Sequence, residues 1–175
     1  MKRKSLVSLL STVALSSVAF AASKESAQFE IYPKNLARQH LGANLFHYTA
    51  GNQTYTPTEA AAAWLDDDIT TGWPMLSGKQ YYLLSLPEAE LLTNFAISAR
   101  PASGTITLYA GNEPAPPGAK TWSVLARDVP FESINEKKLA HPFSRDAKYL
   151  LIETNVADPG PVYSLYVYGQ KPAVD

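Results

Sequence analysis

Apolar and polar residues alternate in short runs along most of the chain. Within residues 105–110, Ile106 and Leu108 alternate with Thr105 and Thr107. Because successive side chains of a β-strand point to opposite faces, this alternation predicts a strand with one buried face. Clusters of Gly, Pro, Asn and Asp separate the runs and predict turns. The clearest predicted strands cover residues 80–86, 92–99, 105–110, 121–126, 148–154 and 162–168.

One segment departs from the strand pattern and predicts a short helix at residues 57–65. Thr56 is a suitable N-cap, Pro57 suits the first helical position, and Glu59 completes a capping box. The acidic run at residues 66–68 is unfavourable at a helix C-terminus, where the macrodipole is negative. We therefore expect that run to leave the helix and form a loop.

The first residues have the pattern of a cleavable export signal. Residues 2–4 are basic, residues 6–20 are apolar apart from small Ser and Thr, and residues 19–21 (AFA) suit a signal peptidase. The apolar run is short for a membrane span, so we predict no membrane insertion. The chain has no Cys for lipoprotein processing, so a periplasmic or secreted protein is predicted. The predicted segments are a signal peptide (1–21), a polar lead (22–34), a β-sandwich (35–169) and a tail (170–175).

Composition and charge narrow the classes of function. The chain has 175 residues, of which 46% are hydrophobic, and a formal net charge of −1. Removal of the signal leaves 12 basic against 16 acidic residues, so the mature domain is acidic. Because nucleic acids and anionic lipids bind clustered Lys and Arg, neither is a predicted partner. The absence of Cys excludes disulfides, thiol catalysis and Cys-based zinc sites.

The sequence carries no familiar catalytic motif. It contains no nucleophile elbow, HExxH, P-loop or dinucleotide fingerprint. The three histidines, His40, His47 and His141, are scattered and are predicted to be structural or surface side chains. Glu88 and Glu90 are predicted to lie in a solvated turn. We therefore predict that the protein is not an enzyme and has no catalytic residues.

Five short motifs follow one another along the chain. They cover residues 35–37 (NLA), 62–73 (AAWLDDDITTGW), 104–109 followed by Trp122, 147–152 (AKYLLI) and 165–169 (LYVYG). In this order they resemble the discoidin, or coagulation factor 5/8 type C, domains and their galactose-binding-like relatives among carbohydrate-binding modules. The resemblance implies an all-β fold, an antiparallel jelly-roll β-sandwich of about eight strands with one short helix. It also implies that loops at one end of the sandwich bind the ligand.

Some members of this family hold a structural calcium ion in the aspartate-rich loop, so the resemblance raises the same question here. The chain departs from the family at two positions, with Asp67 in place of Gly and Ser164 in place of a Glu on the last strand. Calcium needs six to eight oxygen ligands and favours several carboxylates. Asp66 and Asp68 are therefore candidate metal ligands, and no other cofactor is predicted. The alternative is that Asp66 and Asp68 accept backbone N–H bonds and fix the loop.

The same resemblance suggests ligand-binding residues. It implies Arg100, just after the strand at 92–99, and Asn155, in the loop after the strand at 148–154. A sugar site also needs an aromatic ring on which the apolar face of the sugar can stack, and Tyr81 and Tyr163 are candidates. Trp73 is a further candidate platform. Burial is the stronger expectation for Trp73, as it is for Trp122. The alternative for Arg100 is a surface side chain over the sheet edge.

Two functions follow from these features. The first is an exported, non-catalytic module that recognises a glycan or cell-surface polysaccharide through loops at one end. The alternative is an envelope protein-interaction or structural module without a sugar site. Tyr166 and Tyr168 share the strand face opposite Leu165 and Val167, and if that face is exposed a partner protein or a second copy could cover it. The alternative is that the other sheet or a loop covers these two tyrosines.

Overall fold

Nine β-strands, one α-helix and one 3₁₀ turn make up the described part of the chain. The computed structural model describes residues 35–66, 68, 70–99, 102–131, 134–139 and 143–170. The predicted signal peptide and polar lead lie outside the described residues, as do Asp67, Arg100 and His141. The elements are the 3₁₀ turn Gln39–Leu41, β1 (Asn44–Thr49), β2 (Thr54–Pro57), α1 (Ala60–Trp64), β3 (Trp73–Pro74), β4 (Gly78–Ala99), β5 (Ser103–Gly111), β6 (Ser123–Phe131), β7 (Ile134–Leu139), β8 (Arg145–Asp158) and β9 (Pro161–Gln170).

The strands form the two antiparallel layers of a β-sandwich, which confirms the predicted fold class. In the first layer the strand order is β2-β1-β4-β8-β5-β6. In the second, the C-terminal half of β4 pairs with β7 on one side and with β9 on the other, and β3 pairs with β9. No helix in the described part of the chain is long and apolar enough to cross a bilayer.

Strand β4 belongs to both layers. The two runs predicted at residues 80–86 and 92–99 form one strand of 22 residues. Its pairing with β8 is irregular between Ser85 and Glu90, and the strand passes there from one layer to the other. Glu90 is buried and pairs with Ala147, so the prediction of a solvated turn is wrong for Glu90. The chain continues as one strand through the segment where the Pro and Glu residues suggested a turn.

The main core fills the space between the layers. Strands β1, β4, β5, β6, β8 and β9 contribute side chains to it, mostly at alternate positions, as the sequence pattern predicts. Each buried aliphatic or aromatic side chain contributes about 1.5–3 kcal/mol relative to an exposed one. The largest fully buried members include Trp64, Tyr82, Leu84, Phe95, Ile106, Leu108 and Leu150.

The helix is shorter than predicted and begins later. Thr56 and Pro57 belong to β2, where they pair with His47 and Phe46, so the predicted cap at Thr56 is wrong. The backbone that would have opened the helix is engaged in the β1–β2 ladder instead. Helix α1 begins at Ala60, whose N–H donates to the Thr58 hydroxyl oxygen at 3.3 Å. The helix ends at Trp64, which confirms that the acidic run lies outside it.

Candidate functional site

Several strands begin or end together at one end of the sandwich, which we call the loop end. Strand β4 both starts and finishes there, at Gly78 and Ala99. Register pairs that mark this end are Gly78↔Val156, Ser103↔Asp158, Ala99↔Val162 and Pro74↔Pro161. Arg100 follows Ala99 in the chain but lies outside the described residues, so its role stays a prediction.

Trp73 projects from the loop end, and 38% of it is exposed. Its backbone is nevertheless fixed: it pairs with Val162 in β9, and its carbonyl oxygen accepts a hydrogen bond from the Trp64 indole nitrogen at 3.0 Å. The expectation that Trp73 is buried is wrong, because Trp64 fills the core and packs against Tyr82 with ring centroids 4.9 Å apart. The same expectation is confirmed for Trp122, which is buried.

Tyr163 lies close to Trp73 in the β3–β9 pairing. Its ring rests against Gly72, where an added Cβ atom would come within 2.9 Å of Tyr163 Cε1. Only a residue without a side chain leaves room for this approach. Leu76, 48% exposed, follows on the same segment. We call Gly72, Trp73, Leu76 and Tyr163 the Trp73 rim.

The acidic loop before the rim is held by its own carboxylates. Asp66 Oδ1 accepts the backbone N–H of Asp68 at 2.9 Å, and Asp68 Oδ1 accepts the backbone N–H and the hydroxyl of Thr70 at 2.8 and 2.6 Å. The Thr71 hydroxyl donates to Asp66. The hydrogen bonds from Thr70 lower the pKa of Asp68. The interpretation that Asp66 and Asp68 fix the loop is therefore confirmed.

The calcium prediction requires further oxygen ligands beside the Asp66 and Asp68 carboxylates. Ser164, at the position of the family's glutamate, is buried and accepts a hydrogen bond from the Arg38 guanidinium at 3.1 Å. Within the described ranges, no cluster of three or more His, Asp or Glu side chains is placed to hold a metal ion. Calcium binding by Asp66 and Asp68 therefore stays a prediction that chelation must test.

Two other predicted ligand residues, Tyr81 and Asn155, share the outer face of the first layer. Tyr81 pairs with Glu153, and Lys79 pairs with Asn155, on neighbouring strands β4 and β8. Asn155 is exposed, but its predicted place in a loop is wrong, because β8 continues to Asp158. We call Tyr48, Lys79, Tyr81, Tyr109, Glu153 and Asn155 the tyrosine face.

Glu153 is the centre of this face. Its Oε1 lies 2.6 Å from Lys79 Nζ, and its Oε2 accepts the Tyr109 hydroxyl at 2.7 Å. Burial alone would raise the pKa of Glu153, but hydrogen bonds from Lys79 and Tyr109 and nearby positive charge bring it below the ordinary value. Burial and the bond to Glu153 raise the pKa of Tyr109 to about 12. The cluster is thus an ionised carboxylate with two fixed donors.

Aromatic rings continue the face toward the sheet edge. Tyr48 meets Tyr81 edge-on with ring centroids 6.3 Å apart, and it meets Tyr55 at 5.1 Å. The loop at residues 112–121 lies over the neighbouring part of the sheet. It is attached by the Tyr55 hydroxyl, which donates to the Ala115 carbonyl at 2.6 Å, and by the Trp122 indole, which donates to the Pro116 carbonyl at 3.0 Å.

The remaining candidates have structural contacts. His47 bonds Gln80 with 2.9 Å between Nε2 and Oε1, as expected for a structural histidine. On the second layer, the rings of Tyr166 and Tyr168 stack with centroids 6.3 Å apart. The buried Arg38 guanidinium lies 5.1 Å from the Tyr166 ring centroid.

The structure therefore divides the predicted ligand residues between two surfaces. Tyr81 and Asn155 lie together on the tyrosine face, with Asn155 next to the pair Gly78↔Val156 that marks the loop end, whereas Tyr163 belongs to the Trp73 rim. Sequence reasoning missed Lys79 and Glu153. The period of two along β4 places Lys79 on the same face as Tyr81, but pairing with β8 is a long-range feature that local patterns do not reveal.

Several solved structures share this fold. Chitosan-binding module 1 from a chitosanase/glucanase of Paenibacillus sp. IK-5 is 20% identical, with a TM-score of 0.54 over 78% of this chain and 99% of the module. The family 32 carbohydrate-binding module of C. perfringens NanJ, solved with galactose, is 17% identical, with a TM-score of 0.52 over 78% and 99%. A Ruminococcus gnavus GH29 fucosidase matches over 79% of this chain but only 27% of its own, at 16% identity and a TM-score of 0.52.

At these identities the likeness establishes the fold. The chain has the β-sandwich fold of these carbohydrate-binding modules. No protein-family model matches the sequence, and no curated protein matches it.

Proposed function

We propose that the protein is an exported, non-catalytic carbohydrate-binding module that holds a glycan at its loop end. The observation that carries the proposal is the exposed Trp73 indole on a fixed backbone. A large apolar ring held at the surface contributes little to folding, but it offers a rigid flat platform to a ligand. The apolar C–H face of a sugar ring matches that platform.

Polar groups for the sugar hydroxyls lie at the same end. Thr70 is exposed beside the rim, and Asn155 and Asp158 are exposed near the end of β8. The Asn155 amide offers both a donor and an acceptor, and the Asp158 carboxylate offers acceptors. Arg100 is the predicted bidentate donor, on the family resemblance. Structures of the same fold are named for chitosan binding and for a complex with galactose, which supports a glycan as the ligand class.

Trp73→Ala tests the proposal by affinity electrophoresis against a panel of polysaccharides. Loss of one aromatic stack removes about 0.5–1.5 kcal/mol, so retention should weaken up to about tenfold. Leu41→Ala is the matched control, because Leu41 is 37% exposed in the 3₁₀ turn, away from the rim and from the loop end. Equal retention of the Trp73→Ala and Leu41→Ala proteins on every polysaccharide would count against the rim as the site.

Arg100→Ala tests the residue that the resemblance implies. We expect reduced retention on the same polysaccharide with an unchanged melting temperature. The alternative function, a protein-interaction module, predicts instead that neither substitution affects polysaccharide retention. It also predicts a complex with a partner protein, or a dimer, in size-exclusion chromatography with light scattering.

A further inference from the structure

The tyrosine face has its own set of groups suited to a ligand, on a different surface from the Trp73 rim. We propose that it is a second glycan-binding surface, which takes an internal stretch of a linear, uncharged polysaccharide lying across the strands. The proposal rests on the proposed function in one respect, namely that the ligand of this protein is a carbohydrate.

The floor of the surface begins with two tyrosines. Tyr48 and Tyr81 are half-buried on neighbouring strands, and their rings meet at an interplanar angle of 89°. Each ring restricts the rotation of the other, so little side-chain entropy remains to be lost on binding. Sugar rings can stack on the exposed ring surface, while the tyrosine hydroxyls bond to sugar hydroxyls.

The carboxylate of Glu153 continues the floor on β8. Each carboxylate oxygen can accept about two hydrogen bonds. One position on Oε1 is used by Lys79 and one on Oε2 by Tyr109. The side chain of Glu153 keeps 14% of its surface exposed, so the remaining positions can accept bonds from ligand hydroxyls. Vicinal hydroxyls of a sugar are donors with the spacing that such a carboxylate accepts.

The charges of this face balance. Lys79 compensates Glu153 directly. The positive charge of Arg127 also lowers the pKa of Glu153, and the negative charge of Asp128 raises the pKa of Lys79. Two positive side chains therefore balance two negative ones. An anionic polymer would need an excess of positive charge, and a cationic polymer an excess of negative charge. The face therefore fits an uncharged ligand.

The length of the row favours a chain over a single sugar. Tyr48, Tyr81, Glu153 and Tyr109 stand on four successive strands, β1, β4, β8 and β5. At about 4.8 Å between strands, the row spans roughly 14 Å, which exceeds one sugar ring. The loop at residues 112–121, attached through Tyr55 and Trp122, covers the sheet on one side of the row. A chain can therefore lie along the row beside this loop.

The test compares ligand lengths and two independent substitutions. Oligosaccharides of one neutral polymer, galactomannan, are titrated by calorimetry from the disaccharide to the hexasaccharide. The polymer itself and polygalacturonate are compared by affinity electrophoresis. We expect affinity to rise about tenfold with length in the wild type and in Trp73→Ala, and this rise to be lost in Tyr81→Ala. Tyr81→Phe should retain most of it, because the ring remains.

Tyr168→Ala is the matched control, a half-buried tyrosine on the other layer, and every variant is checked by its melting temperature. Affinity independent of length, or unchanged in Tyr81→Ala, would overturn the second surface. If Trp73→Ala alone then abolished binding, the proposed function would stand. Preference for polygalacturonate would refute the uncharged ligand. A wild-type protein that bound no carbohydrate in the panel would refute both proposals.

Discussion

Gly104 is the position at which the smallest substitution should have the largest effect on the loop end. It lies in β5, opposite Val156 of β8, where the two strands approach closely. A Cβ atom added at Gly104 would overlap the backbone carbonyl oxygen of Asn155 and come within 2.9 Å of the Val156 Cα atom. These obstacles are backbone atoms of a strand paired on both sides, so they cannot move away as a flexible side chain would.

Gly104→Ala should therefore push β5 and β8 apart. Overpacking within a well-packed interior costs typically about 1–3 kcal/mol, and a clash with backbone belongs at the upper end. For a domain of this size, 3 kcal/mol corresponds to a fall in Tm of roughly 6–12 °C. Urea unfolding followed by tryptophan fluorescence measures the free energy of unfolding, and the melting temperature checks it.

Gly51→Ala is the matched control, because a Cβ atom at Gly51 would meet no atom within 4 Å. Its free energy of unfolding should stay within about 0.5 kcal/mol of wild type, as for most surface substitutions. Gly104→Ala should also displace Asn155, so glycan binding should weaken more than stability alone explains. A Gly104→Ala protein as stable as Gly51→Ala would refute the close strand approach.

Three further predictions concern the side chains around the two surfaces. Trp64→Phe removes the hydrogen bond to the Trp73 carbonyl, so we expect a loss of about 1–3 kcal/mol in stability and weaker glycan retention. Unchanged retention would contradict the role of Trp64 in positioning Trp73. Glu153 has a lowered pKa, so its stabilising contribution is present above its ordinary pKa and disappears as pH falls through the lowered one. Wild type should therefore exceed Glu153→Gln in urea stability at pH 6 but not in strong acid, and a difference independent of pH would refute the assignment. EDTA tests the calcium prediction for Asp66 and Asp68: a fall in Tm reversed by calcium would show a structural ion, whereas an unchanged Tm would leave the hydrogen bonds of these carboxylates as what fixes the loop.

The strands could be predicted from sequence because their pattern is local. Alternation at residues 105–110 is sufficient to identify β5 and the side chains that it buries. The start of the helix could not be predicted in the same way, since Thr56 and Pro57 satisfy the rules for a helix start and yet pair with β1. Pairing in the β1–β2 hairpin provides more backbone hydrogen bonds than one capping box, and the rules for a helix start do not take this pairing into account.

In the candidate site, too, the sequence identifies single residues but not which of them the strand pairing brings together. Tyr81 and Asn155 were identified as separate candidates, and only the β4–β8 register places them on one face. Trp64 and Trp73 are equally apolar, so the sequence does not indicate which one is buried. The end of helix α1 decides this by directing Trp64 into the core, and the exposure of Trp73 follows.

Strand β4 also determines when the protein can fold during synthesis. Both of its halves pair with strands near the C-terminus: its first residue pairs with Val156, and Phe95 pairs with Val167. Neither layer can be completed until those last strands have left the ribosome, and contacts this distant in sequence form slowly. Until then the apolar face of β4 is exposed. A nascent chain of this protein therefore depends on being kept from premature association until β8 and β9 have emerged.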